Sequence, residues 1–147
     1  MDSILVLLPS DNPDEQLLSA ANRHASGTDT SVVVCRIIDE DQYQSEVQQD
    51  ARSGAEMEGV EELEDSAAEA ASAVAASAFP EDVATTAIGV VGRIPDAVFD
   101  IADEHDCGHV FLTGRKRSPV GKALFGDLGQ QVLLEFDGPV TIVTVED

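Results

Sequence analysis

The residues most suited to chemistry lie in one stretch, HVFLTGRKRSPVGKALFGD, at positions 109–127. A short apolar run is stopped there by Gly114, and a basic loop leads into a helical pattern that begins near Asp127. The loop contains Arg115, Lys116, Arg117, Ser118, Pro119, Gly121, Lys122 and Gly126. A strand, a glycine-rich turn and a helix N-terminus together bind phosphate, because free backbone N–H groups and the helix dipole favour an anion. We therefore predict phosphate or nucleotide binding by this stretch.

The charge distribution draws attention to the same stretch. The protein has 8 Lys and Arg against 29 Asp and Glu, which gives a formal net charge of −21. A basic cluster in such a chain either binds phosphate or offsets the surrounding acidity, and the sequence leaves both readings open. The overall acidity argues against nucleic acid as a partner, since that binding depends on neutralising backbone phosphates.

The acidity also predicts a dependence on salt. A net charge this large repels itself in dilute solution, whereas at about 1 M salt the Debye length falls to about 3 Å and most of the repulsion disappears. We therefore expect a protein from a halophile with a salt-loaded cytoplasm. The alternative is an acidic protein from an organism that lives at ordinary salt.

The elements that must position the loop follow from hydrophobic runs. Continuous apolar runs, typical of strands buried on both faces of a parallel sheet, occur at 4–8, 31–38, 83–91, 109–113 and 139–145. Helical patterns occur at 14–26, 61–78, 96–104 and 127–136. The segment 39–59 is predicted to be either a loop or a frayed extension of the second helix. This alternation predicts an α/β fold with helices on both faces of a parallel sheet. Ligands bind such sheets at the carboxyl ends of the strands, where the basic loop begins.

The helical patterns also predict which side chains are buried. The expected core positions are Leu17, Leu18, Ala21 and Ala25 in the first helix; Leu63, Ala67, Ala70, Val74 and Ala78 in the second; Val98, Ile101 and Ala102 in the third; and Leu128, Val132 and Leu133 in the last. Gly27 is expected to end the first helix. Cys35 is predicted to be a small buried residue, and Cys107 to be partly exposed.

Length and composition set the remaining bounds. The 147 residues predict a single domain over 1–147. The opening MDSILVLLPSD has no basic segment and no cleavage signal, and no apolar run approaches the ~20 residues that span a bilayer. We therefore expect a cytoplasmic protein that does not bind membranes.

Other reactive residues form no recognisable site. His24, His105 and His109 show no metal-ligand spacing, and the two cysteines are far apart in sequence. Ser118 is either a turn residue or a phosphorylation site among cations. No catalytic residue and no metal site are assigned.

The chain resembles the universal stress protein family of the UspA type, in a haloarchaeal-like form. The resemblance rests on the opening ILVLLP, the acidic insert before the second helix, the segment GRIPDAVFDIADEHDCGHVFLTG, the basic loop and the closing GPVTIV. It implies a three-layer, Rossmann-like domain with a five-stranded parallel sheet in the order 3-2-1-4-5, and a homodimer formed through the last strand, residues 139–145. The ATP-binding branch carries G-x2-G-x9-G-[ST] after the fourth strand, which implies ATP, with Mg²⁺, as the ligand.

The match to that pattern is partial. Gly114 matches the first glycine and Gly126 the third, in a loop one residue shorter. Arg117 stands where the second glycine is expected, Asp127 where the hydroxyl residue is expected, and Pro9 where the family places an Asp after the first strand. The implied nucleotide site comprises Pro9, Ile37, Thr113, Gly114, Arg115, Lys116, Arg117, Gly126 and Asp127.

The departures from the pattern keep several functions open. Asp127 repels phosphate, or it serves as the N-cap of the last helix and occupies the N–H groups that a phosphate needs. The leading hypothesis is a stress-response regulator that binds an adenine nucleotide. The alternative is a dimeric interaction module of the same family without nucleotide. A slow ATPase ranks last, because no general base is evident.

Overall fold

The computed structural model describes residues 3–8, 14–41, 43–45, 48, 59–116 and 126–146. Strands and helices alternate along it. The strands are β1 (Ser3–Leu7), β2 (Ser31–Asp39), β3 (Thr85–Gly92), β4 (Cys107–Lys116) and β5 (Val140–Glu146). The main helices are α1 (Glu15–Ala25), α2 (Val60–Ala78), α3 (Asp96–Glu104) and α4 (Gly126–Glu135). None of these helices has the length and hydropathy needed to cross a bilayer.

The five strands form one parallel sheet in the order β3-β2-β1-β4-β5. Helices α1 and α2 pack on one face, and α3 and α4 pack on the other. The predicted fold class and strand order are therefore confirmed. The chain changes direction across the sheet between β1 and β4, the place where ligands bind in open α/β sheets.

The core explains why the strands are apolar without alternation. Along β1, Ile4 and Val6 belong to the core under α1 and α2, whereas Leu5 and Leu7 belong to the core under α3 and α4. All four side chains are buried. A central parallel strand must be apolar on both faces because helices cover both sides of it.

Helix α1 lies within the predicted helical segment 14–26, one residue shorter at each end. Asp14 is its N-cap, and the Leu17 N–H donates to Asp14 Oδ1 at 3.0 Å. Ser26 is the C-cap, and Gly27 follows with a positive φ of 77°, a conformation that glycine adopts without strain.

Strand β4 is longer than predicted. Gly114 does not end the apolar run, because β4 continues to Lys116 beside β5. Gly114 pairs with Thr144, and Lys116 pairs with Glu146. The neighbouring strand supplies backbone hydrogen bonds that a hydrophobicity pattern does not reveal, so the first two cations of the predicted loop belong to a strand.

The stretch after β2, predicted as a loop or a frayed extension of the second helix, is partly helical. Residues 40–41, 43–45 and 48 have helical backbone, and the rest of 42–58 lies outside the described residues. The Asp41 N–H donates to Asp39 Oδ1 at 3.0 Å, as expected for an Asp that caps a helical turn. The acidic composition hid this turn because acidic residues are common in both loops and first helical turns.

Several predicted core positions differ in the structure. In α2 the buried residues are Ala67, Ala71, Val74 and Ala75, so the buried stripe is rotated from the predicted one. In α4, Val132 is fully buried but Leu133 is 45 % exposed, so its predicted burial is wrong. Cys107 is buried rather than partly exposed, because α3 and α4 cover the start of β4. The other predicted core residues of α1 and α3 are buried as expected.

Helix α2 lies directly against the edge strand β3. A Cβ atom at Gly89 would collide with the backbone N of Ala68 and would lie 2.7 Å from the carbonyl carbon of Ala67. Gly89 therefore allows a helix backbone to approach a strand backbone more closely than any side chain would permit.

Candidate functional site

Among the described residues, β1 ends earlier at the carboxyl edge of the sheet than its neighbours β2 and β4. β1 ends at Leu7, opposite Cys35 of β2, and its pairing with β4 ends at Phe111. β2 continues with β3 to Asp39, and β4 continues with β5 to Lys116. At about 3.3 Å per residue, residues 36–39 and 112–116 extend roughly 13 and 16 Å beyond these last pairs. We call the region between these two strand ends the carboxyl-edge notch, as the described residues define it.

The predicted site residues of the described part line both sides of this notch. Ile37 lies on β2 and is 8 % exposed, and it packs with the core under α3 and α4. Across the notch on β4, Thr113 is half-buried and Gly114 is buried. The two strands are separated by β1, which corresponds to about 9–10 Å at the usual spacing of neighbouring strands.

The remaining predicted residues fall into two groups. The backbones of Arg115 and Lys116 end β4, and Gly126 begins α4. Asp127 therefore lies inside the first turn of α4, so its prediction as the N-cap is wrong in position. Pro9, Arg117, Ser118, Pro119, Gly121 and Lys122 lie outside the described residues.

Acidic residues occupy the helix N-termini at this edge. Asp14 caps α1 and already accepts the N–H of Leu17. Acidic residues also stand in the first turns, with Glu15 in α1, Glu61 and Glu62 in α2, Asp96 in α3 and Asp127 in α4. A carboxylate at this position offsets the positive end of the helix dipole. The helix ends of this chain are therefore poor anion sites without help from cations.

Cations are present at the same edge. Arg93 follows β3 directly and is exposed, and Arg115 and Lys116 end β4. Arg36, near the end of β2, donates from its Nη1 atom to the Ile37 carbonyl oxygen at 2.6 Å. By contrast, Arg23 lies in the last turn of α1, toward the amino edge of the sheet. An anionic ligand would therefore find positive charge at the strand ends.

The two thiols are not reactive groups. Burial raises the pKa of Cys35 to about 12, despite the opposing effect of Arg36. Burial, with the nearby Asp106 charge, raises the pKa of Cys107 to about 11. A thiol that stays protonated is a weak nucleophile and a weak metal ligand.

Two of the histidines meet at the amino edge, a contact that sequence reasoning missed. The rings of His24 and His109 are 4.8 Å apart, and His109 stacks on Phe111 at 4.4 Å. His109 Nε2 and Thr141 Oγ1 share a hydrogen bond of 2.7 Å. Burial lowers the pKa of His109, and the neighbouring His24 lowers it further. Their separation in sequence, with a helix end and a strand start, left no local signal of this cluster.

The His24–His109 cluster has no third metal-ligating side chain among the residues that the structure describes. Within the described ranges, no three His, Cys, Asp or Glu side chains converge as metal ligands. His109 also uses Nε2 in the bond to Thr141.

A second concavity lies at the amino edge between α3 and α4. It is lined by Phe99, Ala102, Asp103, Asp106, Cys107, Glu135, Phe136 and Asp137. Its four carboxylates would repel a phosphate. This concavity therefore disfavours an anionic ligand.

An open parallel sheet with a notch at its switch point and cations at its rim is characteristic of nucleotide-binding α/β proteins. The chain belongs to the Universal stress protein family, whose sequence profile matches residues 1–144. No curated protein matches the chain.

Solved structures share the fold. The universal stress protein from Archaeoglobus fulgidus is 22 % identical, with a TM-score of 0.66, and the alignment covers 97 % of this chain and 98 % of that one. The hypothetical protein MJ0577 is 17 % identical, with a TM-score of 0.72 and coverage of 99 % and 97 %. A universal stress protein in complex with cAMP is 17 % identical, with a TM-score of 0.61 and coverage of 97 % and 96 %.

Proposed function

We propose that this chain is a cytoplasmic stress-response regulator that binds an adenine nucleotide, ATP, in the carboxyl-edge notch. The observation that carries the proposal is the early end of β1 between two longer strand pairs. The cAMP complex of a protein with the same fold adds support, because that ligand contains adenine. The proposed site comprises Pro9, Ile37, Thr113, Gly114, Arg115, Lys116, Arg117, Gly126 and Asp127.

The described residues fit the two ends of such a ligand. Ile37 offers an apolar side chain and backbone groups at the end of β2, where a base would lie. Gly114 and the following cations lie at the end of β4, where phosphates would lie. Guanidinium and ammonium groups bind phosphate by charge-assisted hydrogen bonds. Mg²⁺ would come with the phosphates, since no cluster of three metal-ligating side chains exists within the described ranges.

The test begins with protein purified in molar KCl. The protein is denatured, the released material is analysed for nucleotide, and the stripped and refolded protein is titrated with Mg-ATP by calorimetry. Co-purified nucleotide or saturable binding at micromolar concentration supports the proposal. No binding up to millimolar ATP would contradict it.

A charge-matched pair of variants tests the location of the site. Arg117→Ala removes a cation from the basic stretch after β4, whereas Arg23→Ala removes an exposed cation in the last turn of α1. We expect Arg117→Ala to weaken ATP binding about tenfold or more, because a hydrogen bond between charged groups is lost. Arg23→Ala should leave binding unchanged, and equal effects of both changes would place the site elsewhere.

The alternative is a family member without nucleotide, which acts through a dimer surface. The acidic first turns of the helices favour this reading, because they disfavour phosphate at the helix ends. The two readings make opposite predictions for the ATP titration. Hydrolysis would be measured only after binding is found, and we expect at most a slow rate because no general base is evident.

Dimer formation through the last strand is a part of both readings. β5 is an edge strand. The Val110 N–H donates to the Pro139 oxygen at 3.2 Å, so in the parallel pattern the backbone groups of Val140, Ile142 and Thr144 point away from β4. An edge with free backbone groups pairs readily with another chain, and a second copy across a two-fold axis is the simplest partner.

The proposed pairing of β5 is tested by removing one backbone N–H group that points away from β4. Thr144→Pro should convert the dimer to a monomer by light scattering in molar KCl, because proline cannot donate across the new strand pair. Thr144→Val keeps the N–H and should remain dimeric. A dimer that survives Thr144→Pro would locate the interface on another surface.

A further inference from the structure

Asp39 is the last residue of β2 and stands at the rim of the carboxyl-edge notch. It pairs with Gly92 of β3 on one side. On the other side the pairing with β1 has already ended at Cys35. By strand alternation, Asp39 lies on the same face of the sheet as Ile37, two residues earlier. Its carboxylate therefore follows the apolar wall proposed for the base.

The Asp39 carboxylate is held in place but is not saturated. Oδ1 accepts the Asp41 N–H at 3.0 Å, which fixes the side chain at the start of the helical turn. Oδ2 has no hydrogen-bond donor among the residues that the structure describes. The side chain is half-buried, so water has access to one of its oxygens and a ligand could replace that water. A fixed carboxylate with a free oxygen is a good acceptor for hydroxyl groups.

Asp39 also supplies an acceptor side chain that the sequence lacks after β1. Pro9 follows β1, so no acceptor side chain stands at that position. A ribose carries two hydroxyl groups that lose their water when they are bound, and each then needs an acceptor. In dinucleotide-binding sheets whose first five strands have the same order, an acid about 20 residues beyond the glycine-rich turn hydrogen-bonds the ribose 2′-OH.

We propose that Asp39 is the ribose acceptor of this site and that its Oδ2 atom accepts a hydrogen bond from a ribose hydroxyl. The proposal rests on the proposed binding of an adenine nucleotide in the notch. It predicts that the protein selects ribonucleotides over deoxyribonucleotides, and that Asp39 is the origin of this selection. A hydrogen bond to a charged acceptor corresponds to a preference of about tenfold or more.

The experiment compares ATP, 2′-deoxy-ATP and 3′-deoxy-ATP by calorimetry in molar KCl. The variant Asp39→Asn keeps an oxygen for the Asp41 N–H and remains a good N-cap, but it replaces the free acceptor with an amide donor. The control Asp41→Asn removes the same charge two residues later, at an exposed position. Circular dichroism and the unfolding midpoint check that both variants are folded.

We expect wild-type protein and Asp41→Asn to bind at least one of the two deoxy analogues about tenfold or more weakly than ATP. Asp39→Asn should bind ATP as weakly as wild type binds that analogue, with the preference lost. Equal binding of all three ligands by wild type would overturn the role of Asp39 while leaving nucleotide binding intact. An Asp39→Asn variant that binds more weakly but keeps the preference would make Asp39 only a cap. Failure of wild type to bind ATP at all would overturn the proposed function, and this inference with it.

Discussion

Glu64 of α2 accepts the backbone N–H of Val91, on the edge strand β3, through its Oε2 atom at 2.9 Å. The bond occupies a backbone N–H group of β3 to which another strand could otherwise pair. Two residues earlier in β3, Gly89 lets the α2 backbone lie against the strand. Helix α2 and the Glu64 carboxylate together cover this edge of the sheet, which disfavours pairing with another strand. This leaves β5, at the opposite edge, as the strand that we propose pairs between two copies.

Replacing Glu64 should therefore weaken the fold. Glu64→Ala leaves the half-buried Val91 N–H without its acceptor, and we expect a loss of about 1–3 kcal/mol in the free energy of unfolding. Glu64→Gln keeps an acceptor oxygen and should lose less. Urea unfolding in molar KCl measures both, with exposed Glu62→Ala on the same helix as the control. A loss no larger than that of the control would show that the bond contributes little.

Gly89 should not tolerate a side chain. The Cβ atom of Gly89→Ala meets backbone atoms of α2 rather than flexible side-chain ends, so helix and strand must move apart. We expect a loss of about 1–3 kcal/mol or more in the free energy of unfolding. Gly59→Ala is the matched control, because a Cβ atom there meets nothing within 4 Å. Equal midpoints for the two variants would contradict the close approach of α2 to β3.

The His24–His109 cluster predicts a stability that falls with acid. The pKa of His109 is lowered in the folded protein by burial and by His24. The unfolded chain therefore binds a proton more readily, and the contribution of neutral His109 is fully present above the unfolded pKa of about 6.5 and is lost as pH falls below it.

The pH effect is isolated by comparing unfolding of wild type and His109→Gln at pH 7.5, 6.0 and 5.0 in molar KCl. The difference between the two proteins removes the titration of the carboxylates from the comparison. We expect wild type to lose more stability than His109→Gln over this range. His105→Gln, at the end of α3, is the control and should follow wild type. Parallel curves for all three proteins would contradict the assignment.

The charge of −21 predicts that folding and dimer formation both require salt. In dilute buffer the acidic surfaces repel within a chain and between two copies, whereas in about 1 M KCl the Debye length of about 3 Å screens them. We expect unfolding in low salt, recovery in molar KCl, and dissociation before unfolding as salt is lowered. Circular dichroism and light scattering follow the two steps. Indifference to salt would contradict adaptation to a salt-loaded cytoplasm.

Some features of this protein were determined by local sequence. Continuous apolar runs predicted all five strands, because a parallel strand between two helix layers must be apolar on both faces. The C-terminal end of α1 was predictable because Gly27 acts on groups a few residues away. The same holds for the buried face of α3, where Val98, Ile101 and Ala102 repeat with the helix period.

Other features were decided by the tertiary structure. Gly114 lies within a strand because β5 provides backbone partners 30 residues further on. Leu133 is exposed because the position of α4 over the sheet, and not its apolar composition, sets its buried face. The carboxyl-edge notch is defined by β1, β2 and β4, whose carboxyl ends lie at different positions along the strand direction. Asp39 borders it because the pairing of β2 with β1 ends before that with β3. Such relationships depend on register between distant segments, which only packing brings together.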